Sequence, residues 1–428
     1  MHIAIITAGG AGMFCGSCMH DNTWARALRE QGAEISLIPV YTPIRVDEQN
    51  VSLPQVYFGG INVYLEYHSR LWRSVPRSFT RWLDHPWVID LASRFGLSNN
   101  AHLLGGMTLS MLEGESGPHK YKVQELVELL SNQLRPDIVC FSNVLLVGAL
   151  RLLKENYDGK ILCTLQGDDI FLESMTEPFR SRAIETISER AQQFDGFLVH
   201  TRYYHNLMSQ YLQLPSEKFH LLPLGIELDG HVGQPTFRKN NRFTIGYFAR
   251  ICPEKGLHHL ILAFRILHNR RPNTLLKVGG YLGIRDRQYF TQVQKEAKHL
   301  GSAFQHIGSP ASHSEKISFL NSLDVLSVPT VYQEPKGLYV LEAMANGVPV
   351  VQPSHGAFPE LIKATGGGLL VEPGNADELA DVLETLMDAP QHRTALAEAG
   401  HANVRKLFGK KLMAERTLAI FEAELRRS

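Results

Sequence analysis

Short apolar stretches alternate along the chain with longer segments of helix-forming residues, and turn residues separate the two. Such alternation reads as strand, turn, helix, strand, the pattern of an α/β protein built on parallel sheets. In the first half, Ile3–Thr7, Glu34–Val40, Asp137–Ser142, Lys160–Leu165, Gly196–His200 and Phe219–Pro223 are predicted strands. Helices are predicted over His20–Gln31, Lys120–Leu134, Leu146–Asn156 and Tyr203–Tyr211, with another beginning near Glu173. The pattern then restarts. Phe243–Phe248, Thr274–Val278, Phe304–Ile307, Asp324–Pro329 and Val348–Val351 are strands of a second set, which a short strand in Gly366–Pro373 closes. Its helices are Leu257–Asn269, Gly337–Asn346, Ala376–Met387 and Arg393–Leu407, and Lys410–Leu425 is amphipathic. The polar stretch Gly230–Asn241 has no apolar period and reads as a linker between domains at 1–229 and 242–409.

Composition narrows the classes. The chain has 428 residues, more than one ordinary core encloses. Lys+Arg 43 balances Asp+Glu 43, so no overall charge points to nucleic acid. No apolar run reaches the length of a membrane span. The apolar start, Met1–Met13, lacks a basic flank and runs into glycines, which reads as a first strand rather than a signal peptide. Five scattered cysteines suggest reduced thiols and a cytoplasmic setting.

Two places carry candidate chemistry. The first is the loop of the strand–loop–helix–strand unit Leu323–Glu360. Glu334 lies in that loop and Glu342 on the helix after it. Between them the amides of Gly337 and Leu338 open the helix at its positive dipole end, where a phosphate fits. Backbone anion binding beside two carboxylates suits a ligand with phosphates and hydroxyls, as in a nucleotide sugar. Arg250 and Lys255 follow the first strand of the second half, and both suit a diphosphate. The second place is the glycine-rich turn after the first strand, with Gly10 and Gly12. It lacks the spacing of a dinucleotide fingerprint, but it lets a ligand approach the backbone. Cys15-Gly-Ser-Cys18 sits in the same loop, followed by His20 and Asp21. No second pair supplies the four ligands of zinc, so two small residues lining a pocket is the preferred reading.

Glu334-Pro-Lys-Gly-Leu-Tyr-Val-Leu-Glu342 resembles the E-x7-E motif of retaining glycosyltransferases of family 4, which have the GT-B fold. Glu-Ala-Met-Ala-Asn-Gly-Val-Pro-Val and Gly356-Ala-Phe-Pro-Glu360 extend the likeness, as do Arg250-x4-Lys255-Gly256 and Leu224-Gly-Ile-Glu227. The resemblance implies two Rossmann-like domains facing a cleft, with residues 410–428 crossing back onto the first. It implies that Arg250 and Lys255 hold and stabilise a departing diphosphate, with the Gly337 and Leu338 amides and Lys336. Glu342 would bind the ribose and Glu334 the sugar hydroxyls, without a metal. The glycine-rich loop of such enzymes faces the donor phosphates and the acceptor.

Where the family often has His-Gly-x-Asp, this chain has Gln166-Gly-Asp-Asp169. A glutamine does not titrate near neutrality, so only a positioning or electrostatic part in the reaction is left to Gln166. Asp169 matches the family's Asp, with an N-cap role as its structural alternative. Asp169 and His200 are candidate cleft residues, a structural His being the plainer reading of the latter. The stretch Tyr67–Pro118 falls outside the resemblance. Its Arg70–Trp87 part interleaves four arginines with three tryptophans, which suits packing or a lid over the acceptor, or peripheral contact with an anionic membrane. The reading is a glycosyltransferase that moves a sugar from a nucleotide-diphospho-sugar to a glycan, lipid or small-molecule acceptor. A catalytically impaired sugar-nucleotide-binding protein and a nucleotide-sugar epimerase are the alternatives.

Overall fold

The computed structural model describes residues 1–9, 15–58, 65, 101–231 and 242–427. Two parallel six-stranded sheets organise them. The first contains β1 His2–Thr7, β2 Glu34–Pro39, β3 Ile138–Phe141, β4 Lys160–Thr164, β5 Gly196–Val199 and β6 Phe219–Leu221. Its spatial order is β2-β1-β3-β4-β5-β6. The second contains β7 Phe243–Phe248, β8 Thr274–Gly279, β9 Phe304–Gly308, β10 Val325–Ser327, β11 Val350–Pro353 and β12 Gly368–Val371. Its order is β12-β11-β10-β7-β8-β9. Central strands are apolar at nearly every position because helices cover both sheet faces. In each sheet the strand order reverses beside the first strand, between β1 and β3 and between β10 and β7. Those two points are where a doubly wound sheet leaves a crevice beyond its carboxyl edge.

The chain divides into two units, residues 1–223 with 411–428 and residues 224–410. Segment 224–229, read from the sequence as the end of the first domain, groups with the second unit. Ile226 pairs in parallel with Gly409, and Lys410 donates to Glu227 at 2.7 Å. The last helix, Lys410–Arg426, packs into the first unit. Its Thr417 hydroxyl accepts from the buried Trp24 indole at 2.9 Å, and its Phe421 meets the Trp24 ring edge-on at 6.2 Å. The amphipathic stripe of that helix is thus completed by the first unit's core, with Ile3, Ile5 and Leu28.

Several boundaries differ from the sequence reading. The first helix begins at Gly16, not His20. Cys15 is its cap residue and Cys18 is buried within it, in the core with Ile3 and Trp24. Cys18 therefore packs rather than lining a loop pocket. The segment 120–134 is an α-helix only to Glu128 and a π-helical turn from Leu129 to Leu134. Helix 146–156 starts as a 3-10 turn and becomes α-helical at Leu150. The helix expected near Glu173 is two helices, Asp168–Glu173 and Phe179–Ala191. Residues 101–118 of the stretch outside the resemblance form the helix Ala101–Leu112 and a following turn, with Leu109 and Leu112 buried in the first unit's core. Gly10, Gly12, Arg70–Trp87 and nearly all of the linker lie outside the described residues. No described helix is long and apolar enough to cross a membrane.

Candidate functional site

The second unit places three predicted residues together at its strand-order reversal. Strand β7 ends at Phe248, and the chain passes Arg250 into a 3-10 turn, Pro253–Lys255. Gly256 then adopts a left-handed conformation and starts the helix Leu257–Arg270. The neighbouring β10 ends at Ser327 and leads into the loop that contains Glu334. Adjacent parallel strands deliver these two loops to the same carboxyl edge, and the Lys255 ammonium pairs with the Glu334 carboxylate.

Glu334 is buried. Its Oε2 also accepts from the Tyr332 hydroxyl at 2.9 Å and the Tyr339 hydroxyl at 3.1 Å. Its Oε1 faces the Lys336 amide at 3.4 Å. Burial pushes the carboxyl upward, but the Lys255 charge and these hydrogen bonds outweigh it and hold the group below the usual glutamate range. Glu334 is thus an anion near neutrality. The Lys255 ammonium lies 5.1 and 5.0 Å from the ring centres of Tyr332 and Tyr339, within cation–π range. The segment Gly356–Glu360 sets the backbone of Glu334: the Ala357 amide donates to its carbonyl at 2.7 Å. Gly356 fits there because a Cβ would come within 2.6 Å of the Glu334 backbone.

Arg250 is half-exposed; its Nε lies 3.3 Å from Cys252 Sγ and its Nη2 4.0 Å from Glu254. Lys336 is buried. Gly337 has φ +78 and caps the helix Leu338–Ala345. The left-handed backbone explains this glycine, since a Cβ there would also press on Leu361 Cδ1 at 3.0 Å. Glu342 does not share the Lys255 network. It sits farther along the same helix and pairs at 2.7 Å with Lys316, on the helix His313–Leu320. The two carboxylates of the motif are therefore held by different lysines.

In the first unit, Gln166 follows β4 and is buried. Its amide donates to Asp21 Oδ1 at 3.1 Å and to the Ser142 carbonyl at 2.7 Å. Asp21 also accepts from the Thr7 hydroxyl at 2.7 Å. Thr7 ends β1 and Ser142 follows β3, so this cluster stands at the reversal point of the first sheet. Asp168 accepts from the Val144 and Gln166 amides at 2.7 and 2.8 Å, and burial pushes its carboxyl up to about 6. Asp169 is no N-cap. The helix begins one residue before it, after Gly167, and its Oδ1 accepts from the Tyr204 hydroxyl at 2.7 Å. His200 is buried; its Nδ1–H donates to the Leu222 carbonyl at 2.9 Å and its ring meets His20 at 4.6 Å.

Tyr204 ties this corner together, because its oxygen also accepts from the Gly167 and Asp168 amides at 2.8 and 2.9 Å. Tyr204→Phe should destabilise the first unit by about 2–3 kcal/mol, since the Gly167 and Asp168 amides lose their acceptor. Denaturant unfolding of the variant against the parent checks this value.

Sequence reasoning missed Lys316, Tyr332, Tyr339 and Tyr204 as partners. Tyr332 and Tyr339 flank the motif and were legible only as loop and helix residues. Lys316 and Tyr204 belong to neighbouring βα units, and no local spacing signals them. Among the described residues no group of three His, Cys, Asp or Glu side chains gathers as metal ligands.

Residues 234–403 match the family model described as glycosyl transferases group 1. The chain is 30% identical over 213 residues to an MMP alpha-(1->4)-mannosyltransferase of Mycolicibacterium hassiacum, covering 49% of this chain and 50% of that protein. It is 32% identical over 213 residues to a D-inositol 3-phosphate glycosyltransferase of an Arthrobacter species, covering 47% and 49%. It thus spans about half the length of these curated relatives. Among solved structures, sucrose-phosphate synthase from Thermosynechococcus elongatus superposes with a TM-score of 0.71 at 16% identity, covering 100% of both chains. HepE of Anabaena, solved with UDP-glucose, superposes with a TM-score of 0.68 at 14% identity, covering 98% of this chain and 99% of that one. Residues 234–403 are thus similar to glycosyl transferases group 1, and the described residues have the two-domain GT-B fold.

Proposed function

We propose that this protein is a retaining glycosyltransferase of family 4 that takes its sugar from a nucleotide-diphospho-sugar. The observation that carries the reading is the pairing of Lys255 with Glu334 at the reversal point of the second sheet. A cation and a carboxylate fixed side by side on rigid strand ends suit a diphosphate joined to a sugar. In this reading Arg250 and Lys255 bind the diphosphate and offset the charge that grows on it as the sugar bond breaks. The Gly337 and Leu338 amides and Lys336 add to that field. Glu334 accepts from sugar hydroxyls and Glu342 from the ribose. Gly10 and Gly12, which lie outside the described residues, are assigned to the donor by resemblance alone, and Asp169 and His200 are assigned as cleft residues. The two named relatives, a mannosyltransferase and a D-inositol 3-phosphate glycosyltransferase, support the class.

Retention proceeds with the acceptor attacking from the face the diphosphate leaves, and the departing phosphate takes the acceptor's proton. No side-chain base is required. Gln166 fits this account, because both hydrogen bonds of its amide hold Asp21 and Ser142 and it is a neutral positioning group. In this reading Arg250, Lys255 and Lys336 meet the charge of the diphosphate without a metal. The acceptor is a glycan, lipid or small molecule met by the first unit in a cytoplasmic setting, with Arg70–Trp87 as the place for any peripheral membrane contact.

A thermal-shift panel of nucleotide diphosphates and nucleotide sugars tests the reading. One base should raise the melting temperature by mass action. Arg250→Ala should abolish the rise while leaving a folded protein, and Glu342→Gln should reduce it. No shift with any millimolar nucleotide would remove the donor from the reading. Slow hydrolysis or transfer of the bound donor separates an enzyme from a protein that only binds it, and chromatography of the released sugar separates transfer from epimerisation.

A further inference from the structure

We infer that Lys316 is a positioning residue for Glu342 and that, through it, the protein selects ribonucleotide over 2′-deoxyribonucleotide donors. The inference rests on the nucleotide-sugar reading above. Lys316 lies outside every motif of the second unit, on the helix that follows β9. Its side chain is 3% exposed and that of Glu342 is 13% exposed, and Nζ donates to Glu342 Oε1 at 2.7 Å. Placing an ammonium in so dry a position is costly unless a carboxylate faces it. Its presence here has a consequence for Glu342. One oxygen is pinned, so the three torsions of the side chain are no longer free to wander. The other oxygen is thereby aimed in one direction from a helix whose next turn is itself held. Asn346 donates to the Glu342 carbonyl at 2.9 Å and meets His231 Nδ1 at 2.6 Å.

A carboxylate with a fixed orientation discriminates between a vicinal diol and a single hydroxyl. A wandering one re-aims and accepts from whichever hydroxyl is present. Losing one hydrogen bond to a charged acceptor weakens binding by about 10–100-fold. The pinned Glu342 enforces that loss on a 2′-deoxyribose, and a loosened Glu342 does not.

The experiment is calorimetric titration of the purified full chain with UDP, GDP and ADP and with their 2′-deoxy counterparts. For the base that binds, the parent protein should prefer the ribonucleotide by about 10–100-fold. Lys316→Met should bring the two nucleotides to near parity, because the loosened Glu342 no longer enforces the loss on the 2′-deoxynucleotide. Lys316→Arg, which keeps the charge, should retain part of the preference. Lys316→Met combined with Glu342→Gln leaves no buried charge, keeps the measurement open if the single variant unfolds, and should show the same parity. A merely structural lysine would weaken both nucleotides equally, and that result, or an unchanged preference in Lys316→Met, overturns the inference. If the parent binds no nucleotide, the donor reading itself fails and takes this inference with it. If the parent binds but shows no preference for ribose, only the role of Lys316 and Glu342 falls.

Discussion

Lys255→Met should lower the rate of sugar transfer by about 10²–10³-fold, the cost of removing one charge aimed at a departing anion. The same change should destabilise the second unit by about 3–5 kcal/mol, because it leaves the Glu334 carboxylate buried with no cation beside it, facing the Tyr332 and Tyr339 hydroxyls and the Lys336 amide. The two effects are separable. Adding Glu334→Gln to Lys255→Met removes the unpaired charge, so it should recover most of the stability and none of the rate. The pH dependence carries a sign as well. In the parent, Glu334 is held below its ordinary value. Its stabilisation is present above the unfolded-state pKa and is lost as pH falls through the folded one. In Lys255→Met burial is no longer outweighed and the folded pKa moves above the ordinary value. That variant should therefore lose stability as pH rises past the ordinary glutamate range. Unfolding curves from acid to neutral pH, beside single-turnover rates, measure both. An equal loss of stability in Lys255→Met at every pH would show that the ion pair is not the cause.

Gly256→Ala should be strongly destabilising to the second unit. The residue has φ +70, and a Cβ would lie 1.7 Å from the carbonyl oxygen of Pro329. That oxygen belongs to the backbone just beyond β10, so no side chain can swing away. The left-handed backbone and the forced displacement together should cost about 2–4 kcal/mol. Gly366→Ala is the control. Gly366 has a similar backbone, φ 65 and ψ 11, but a Cβ there meets only the Ala399 methyl at 3.5 Å. It should cost about 1 kcal/mol, the left-handed penalty alone. Because Gly256 adjoins Lys255, its alanine variant should also weaken donor binding, and the Gly366 variant should not. Thermal unfolding with and without the nucleotide that binds the parent reads both quantities.

These two residues show why the motif reads as it does. From the sequence, the glycine after Lys255 is one more turn residue. In the structure it is the point where the loop after β7 lies flat on the backbone after β10, which is how a lysine from one βα unit reaches a glutamate from another. Gly356 does the same from a third unit, against the backbone of Glu334.

The period of apolar positions by itself determined the α/β class, the two successive runs of strands and helices, and the carboxyl-edge loops that hold Arg250, Lys255 and Glu334. Strand and helix periods are local, and so is the order of loop and helix that puts Gly337 at a cap. What the local pattern did not decide was pairing. The order of strands brings β7 beside β10 although 76 residues separate Phe248 from Val325. From that adjacency come the Lys255–Glu334 pair, and from the packing of the β9 helix the Lys316–Glu342 pair. Likewise Gln166 is an ordinary polar residue in the sequence, and only the meeting of β1, β3 and β4 gives it Asp21 and Ser142 as partners. Cys15 and Cys18 looked like a loop pair because helix starts are weakly marked in sequence. Burying Cys18 beside Trp24 extended the helix back over them. Local propensity reaches only along the chain, whereas the chemistry of buried charges depends on which elements the sheet order sets side by side.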